Sequence, residues 1–455
     1  MSSNKKYWKS VEELKEDSSI VERLQQNEFT DDIPVDEFLG NKEALENSST
    51  SRRDFLKYVG FSTVAASLAA CEGPVIKTIP YVVQPERIVP GIADYYATTM
   101  ADGFDFASVL VKTREGRPIK IDKNYLSKTN IGVNARVHAS VLSLYDNKRI
   151  KRPAIQGKPV SWEEFDKQIA NELGQVSGET VLLTQTFASP STARAIKDFA
   201  SKQGNVRHVV YDTVSEDAAL NAFQSKYGTR ALPNYDFSKA KTIVSIGADF
   251  LGDWQAGGYD VGYAKSRVPN PEASGAKMSR HIQFESNMTP TGAKADKRIP
   301  VTPSQQKAIL AALYSYLVEG ASSKNKLTPK IDDAIIKAAS QLRKAGSGAV
   351  VVSGIPETDA QLLVLAINEA LGSKVMDTKE YRTVRQGNSA EVAKLIKDMN
   401  SGKIGALLIA GVNPAYSLPN SSEFKEGLKK VKLSVAFSMK EDETAKLCKY
   451  IAATP

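Results

Sequence analysis

From residue 180 onward the chain alternates short, continuous apolar runs with amphipathic stretches. Residues 180–185 (T-V-L-L-T-Q), 206–212, 241–247, 349–353 (A-V-V-V-S), 404–410 and 431–437 predict strands. Residues 191–203, 304–319 and 358–371 predict helices, the first ahead of Gly204 and the last closed by Gly372. In 304–319, Ile309, Leu310, Leu313, Tyr316 and Leu317 fall on one helical face. Strands without polar alternation, separated by one-sided helices, imply parallel sheets covered on both faces, so the predicted class is α/β. Upstream the pattern differs. Residues 108–114 alternate as a strand, Glu115 and Gly116 make a turn, and 117–122 return as the second arm of a hairpin. Residues 138–146 predict a short helix leading into the basic stretch 148–153. Residues 72–95 hold Pro74, Pro80, Pro85 and Pro90 between β-branched residues and read as an extended strap.

The pattern is least ordinary at residues 51–71. They read S-R-R-D-F-L-K, then thirteen residues without charge (58–70), then Cys71. A stable bilayer-spanning helix needs about 20 apolar residues, so this run is too short. Arg52 and Arg53 ahead of it form the address read by the twin-arginine export system. Leu68-Ala-Ala-Cys71 matches a lipoprotein signal-peptidase site, with Cys71 as the lipidated mature N-terminus. An amphipathic helix followed by a buried cysteine is the plainer alternative. Two or three acyl chains would tether the product firmly, at about 0.8 kcal/mol per buried methylene. The expected location is therefore the periplasmic face of a bacterial inner membrane, with covalent lipid at Cys71. The polar, acid-rich residues 1–50 are expected to be a pre-export extension. The expected organisation is 1–50 extension, 51–70 signal, 71–155 strap and hairpin, 156–300 a first α/β domain, and 301–455 a second, cut before its natural end.

Composition is that of a folded globule, 42% hydrophobic and 25% charged. Charge is unevenly divided. Residues 1–70 carry nine Lys+Arg against thirteen Asp+Glu, which leaves the remainder at +12. For an exported chain that excess suits an anionic membrane surface, an acidic subunit or simple solvation, and not nucleic acid. Only two cysteines are present, Cys71 and Cys448. With one lipidated, no disulfide framework, C-x-x-C metal site or iron–sulfur cluster can be built from this chain. His138, His208 and His281 are far apart in sequence and read as satisfied histidines, not metal ligands.

Ligands of open α/β sheets bind at strand-to-loop junctions, and three such junctions stand out. Gly247 and Asp249, with Gly252 and Asp253, follow one strand; Gly411, Asn413 and Pro414 follow another; Gly354 to Thr358 precede a helix. None matches G-x-G-x-x-G or a P-loop, and a turn that closes a strand is the simpler reading of each. No Ser/His/Asp or Cys/His constellation is visible, so no catalytic residue is assigned.

Several blocks, in order, carry a family likeness. They are Ala97-Thr-Thr99, V-L-V-K-T-R-E-G-R-P-I-K-I-D at 109–122, A-S-V-L-S-L-Y-D at 139–146, Phe284-Glu-Ser286 with Thr289-Pro-Thr-Gly-Ala293, and Gly411-Val-Asn-Pro414. Together they resemble the large subunit of molybdopterin oxidoreductases. The early block Y-W-K-S-V-E-E-L at 7–14 resembles the subgroup with an extended twin-arginine signal, typified by the first half of the B subunit of alternative complex III. The resemblance implies a molybdopterin-oxidoreductase-like fold in a quinol-oxidising respiratory complex. Its partners would be a ferredoxin-like iron–sulfur part, cytochrome c subunits carrying haem, and a quinol-binding integral membrane subunit. Working members carry a cluster-binding cysteine motif early in the mature chain and a Cys, selenocysteine, Ser or Asp ligand to molybdenum. Here the strap at 95–100 (Y-Y-A-T-T-M) has no cysteine, and Cys448 lies at the wrong end. The expected reading is a kept fold without cofactor, serving as a structural and assembly subunit. An active enzyme of the polysulfide- or thiosulfate-reductase type, with pterin at Gly247, Asp249, Gly411 and Asn413, is the alternative. A two-lobed periplasmic binding lipoprotein is a third.

Overall fold

A computed structural model of the chain describes residues 89, 91–102, 105–127, 133–268, 278–322 and 327–454. The acidic extension, Arg52, Arg53, Cys71 and the strap through residue 88 lie outside the described residues. Two compact units divide the chain: Met1–Asp94 with Thr113–Pro118, and Tyr95–Lys112 with Ile119–Pro455. In the first, Glu115 (φ 50) and Gly116 (φ 75) form the expected two-residue turn with both φ positive. Arg114 Nη2 donates to the Gly91 carbonyl at 2.8 Å.

All the sheets but that hairpin tip belong to the larger unit. β1 (Asp94–Asp102), β2 (Asp105–Arg114) and β3 (Arg117–Lys123) form a three-stranded sheet in that order. Residues 95–100, expected as strap, are therefore strand. The helix expected over 138–146 begins earlier, at Ala135–Ala139, because Asn134 Oδ1 caps the Val137 N–H at 2.9 Å. It then tightens into a 3₁₀ turn, Ser140–Tyr145.

The α/β part holds β4 (Ala154–Ile155), β5 (Lys158–Pro159), β6 (Glu179–Thr184), β7 (Val206–Val210), β8 (Leu232–Tyr235), β9 (Thr242–Ile246), β10 (Arg280–Glu285), β11 (Lys297–Pro300), β12 (Ala349–Ser353), β13 (Met376–Arg382), β14 (Ile404–Ala410), β15 (Leu433–Ser438) and β16 (Tyr450–Ala453). One sheet runs β5-β4-β16-β15-β14-β6-β7, parallel from β16 to β7. A second runs β11-β10-β9-β12, all parallel. β13 and β8 pair antiparallel.

Each apolar run sits where helices cover both faces. On β14, Leu407 and Ile409 pack with Leu395, Met399 and Phe424, while Ala406 and Leu408 pack with Phe165 and Tyr450. On β9, Val244 and Ile246 meet Ile309, Leu313 and Ile335, while Ile243 faces Tyr235, Phe237 and Phe250. The helix Pro303–Tyr314 opens with a capping box between Thr302 and Gln305 and ends in a single π turn, Ser315–Glu319, completing the stretch expected at 304–319. The strands are shared across residue 300. β12 joins β9 and β10 in one sheet, and β14 to β16 join β6 and β7 in the other. A partition into 156–300 and 301–455 would divide both sheets. No helix among the described residues is long and apolar enough to cross a membrane.

Candidate functional site

The exits of the two parallel sheets carry the junctions singled out by sequence. Gly247 leaves β9 with φ 67, and a Cβ there would come 2.7 Å from Gln306 Oε1. Its N–H donates to the Phe284 carbonyl at 2.8 Å, and Gly354, leaving β12, packs against its carbonyl so closely that a Cβ would lie 2.3 Å away. Backbone contact leaves room only for glycine at 354, and the positive φ favours glycine at 247. Asp249 is tied to a neighbouring loop. Its Oδ1 accepts from Thr291 N at 3.1 Å and Thr291 Oγ1 at 2.6 Å, and so staples this loop to the turn after β10.

Asp253 is instead an ion-pair partner. Arg136 Nη1 reaches Asp253 Oδ2 at 2.6 Å, and Arg136 Nε reaches Asp105 Oδ2 at 2.6 Å. The hydrogen bond from Arg136 holds the Asp253 carboxyl below its usual range, and the same two carboxylates raise the guanidinium further. The loop then runs left-handed through Gln255 (φ 47), Ala256 (φ 70), Gly257 (φ 64) and Gly258 (φ 84). Two of these are not glycine, and the backbone is strained there. Arg382 Nη1 holds the turn by donating to the carbonyls of Gln255 and Gly257 at 3.3 and 3.0 Å.

At the exit of β14, Gly411 (φ 71) lies against Gln185. Asn413 Oδ1 accepts from Thr444 N at 3.2 Å and Thr444 Oγ1 at 2.7 Å, and its Nδ2 donates to Glu443 Oε2 at 2.6 Å. A 470 Å³ crevice opens beside it, with Gln185, Phe187, Gly411, Asn413, Phe437 and Lys440 among its lining. Gly247 with Asp249 and Gly411 with Asn413 thus stand at the exits of two different sheets.

Cys448 lies in the core of the larger sheet, and burial pushes its thiol up to about 12. A thiol so held does not supply a thiolate at neutral pH. The histidines are satisfied, as the sequence suggested. His281 Nδ1 meets Tyr263 OH at 3.1 Å and Nε2 meets Gln283 Oε1 at 3.1 Å. His208 Nε2 meets Thr184 Oγ1 at 2.8 Å, and His138 Nδ1 meets the Ile121 carbonyl at 2.7 Å.

Sequence reasoning passed over a buried polar cluster built from the loops after β6, β7, β9 and β13. Asp212 accepts from Thr186 Oγ1 at 2.7 Å and from Gly387 N at 2.9 Å, and Glu216 Oε1 accepts from Gln255 N at 2.9 Å. Arg385 is 1% exposed. Burial lowers its guanidinium to about 10 against the pull of Asp212 and Glu216, and burial raises the Glu216 carboxyl. Its members come from distant stretches of sequence, so no spacing announces them.

No protein-family model matches the chain. A menaquinone reductase molybdopterin-binding-like subunit from Nitratidesulfovibrio vulgaris is 24% identical over 457 aligned positions, covering 87% of this chain and 64% of that one. Among solved structures, acetylene hydratase from Pelobacter acetylenicus superposes with a TM-score of 0.54 at 12% identity, over 76% of this chain and 61% of that one. The chain therefore spans less than two thirds of the length of either. The order of blocks, the parallel sheets and these two likenesses agree on the fold: the chain is molybdopterin-oxidoreductase-like in architecture.

Proposed function

We propose that this chain is a structural and assembly subunit of a quinone-linked respiratory complex, of the alternative complex III type, and that it does no molybdenum chemistry of its own. The relative's name, a menaquinone reductase subunit, supports the quinone link; quinol oxidation as the working direction is our reading. One observation carries the structural role. The side chains that would meet a pterin nucleotide are committed to the protein's own loops, Asp249 to Thr291 and Asn413 to Thr444 and Glu443.

The residues present do not fit a catalytic molybdenum centre. Cys448 is a core residue with a thiol raised to about 12, while Asp249 and Asp253 are held by Thr291 and Arg136. In this reading the redox groups, iron–sulfur clusters and haem, belong to a ferredoxin-like part and cytochrome c subunits, and quinol to an integral membrane subunit. The chain would be held at the periplasmic face by lipid on Cys71 after export through Arg52 and Arg53. Replacing Cys71 with Ser should abolish acylation, and an unchanged N-terminal mass would contradict the anchor.

The second reading, an active molybdopterin oxidoreductase of the polysulfide- or thiosulfate-reductase type, is favoured by the 470 Å³ crevice at the strand exits. Metal and pterin analysis of the complex purified through this chain separates the two. Stoichiometric pterin supports the enzyme; co-purifying haem and iron–sulfur subunits without pterin support the scaffold.

A further inference from the structure

The basic stretch 148–153 has no part in the reading above, and it forms one side of an open groove of 710 Å³. The other side is apolar. Leu144, Tyr145 and Trp162 line it and are 51%, 52% and 47% exposed. Trp162, first residue of the helix Trp162–Gln175, meets Phe165 edge-on with ring centroids 5.4 Å apart, which fixes the indole in place. Ala453 and Thr454, at the end of β16, also line the groove.

Residues 148–152 read K-R-I-K-R. Their backbone is pinned to the end of the larger sheet. The Ile150 N–H donates to the Met439 carbonyl at 2.8 Å, and the Ile150 side chain packs on that sheet's core. The nearby carboxylate is already taken: Asp146 Oδ1 accepts from the Lys148 N–H at 2.8 Å, and Lys440 pairs with Asp146 Oδ2. Lys148, Arg149, Lys151 and Arg152 make no ion pair among the described residues. Like charges held this close repel one another, so a neutralising partner is favoured on approach and in the complex.

Three observations identify the kind of partner. Exposed Trp and Tyr beside Arg is the residue set concentrated in protein–protein hot spots. A concave groove takes an inserted chain, and the flat surface of a bilayer offers none. A second copy is disfavoured by charge, since residues 71–455 hold 51 Lys+Arg against 39 Asp+Glu. We propose that the groove docks an acidic segment of another subunit, with an apolar or aromatic side chain between Trp162 and Tyr145 and carboxylates against Arg149 and Lys151. The proposal rests on the reading of the chain as an assembly subunit and names a surface through which it assembles. Bound pterin would end the scaffold reading without removing this contact, and loss of this contact would not imply pterin.

A photoactivated p-benzoylphenylalanine in place of Leu144, irradiated in intact membranes, tests it. The expected adduct joins this chain to an Asp/Glu-rich segment of a different subunit, identified by mass spectrometry. Lys148→Glu with Lys151→Glu, both at exposed positions, should leave thermal unfolding unchanged and lower the adduct at least about tenfold. The same reversal at Lys197 and Lys202, exposed on the helix Pro190–Gln203, should leave the adduct as it was. An adduct to phospholipid, to a second copy, within the same polypeptide or to a segment without carboxylates would overturn the assignment. So would no adduct at all, or equal loss in the two reversals.

Discussion

A methyl group on Gly292 would sit 1.8 Å from Glu285 Oε1. That carboxylate is itself held by Arg298 Nε at 2.5 Å and Thr289 Oγ1 at 2.8 Å, so it has nowhere to move. Gly292→Ala should therefore cost roughly 1–3 kcal/mol in denaturant unfolding, the range of an overpacked buried site. Gly174→Ala, with nothing within 4 Å and inside a helix, should be neutral or stabilising by up to about 1 kcal/mol. His281 gives a pH signature. Burial drives its pKa from 6.5 to about 4, with Arg267 acting in the same sense and Gln283, Asp296 and Glu285 opposing. Between those values the unfolded chain binds the proton that the folded one refuses. Stability should fall by up to about 3 kcal/mol as pH drops from 6.5 to 4. His281→Gln should flatten that part of the stability–pH curve, and an unchanged slope would assign the loss to other groups.

At the scale of elements, β14 is the middle of the five parallel strands of the larger sheet. Leu407 on it is fully buried, so Leu407→Ala should cost about 2–5 kcal/mol. Tyr416, 75% exposed, should change stability by less than about 0.5 kcal/mol when cut to Ala. The same burial explains what could be read in sequence. A-V-V-V-S and I-G-A-L-L-I-A carry no charge and no polar alternation because helices cover both faces, and their predicted limits match β12 and β14. β10 was not legible, for a physical reason. Its residues R-H-I-Q-F-E place Ile282 and Phe284 in the core, but His281, Gln283 and Glu285 are buried too. They satisfy one another in a line, with Gln283 Nε2 donating to Glu285 Oε2 at 3.1 Å, and that polarity masks a central strand. The glycines at the strand exits were visible in sequence. That Asp249 and Asn413 would be tied by Thr291 and Thr444, 42 and 31 residues away, was not.

On the scale of the molecule, the larger sheet joins strands from 154–210 with strands from 404–453, and the smaller joins β9 to β11 with β12 from beyond residue 300, so neither is complete in one half of the chain. A fragment covering 156–300 would keep β6 and β7 but lose β14, their neighbour, and would keep β9 without β12. It should lack a cooperative unfolding transition by circular dichroism, whereas the chain from 71 to 455 should show one. A sharp transition in the short fragment would contradict shared-sheet stability. The central claim concerns chemistry, however: a molybdopterin-oxidoreductase-like body whose strand-exit polar groups hold the protein and not a pterin. Molybdenum, tungsten and pterin content of the complex purified through this chain from solubilised membranes tests it most directly. The account predicts no stoichiometric metal or pterin, with haem and iron–sulfur subunits co-purifying. One pterin or metal per chain would contradict it and return the Gly247 and Gly411 exits to the role of a cofactor site.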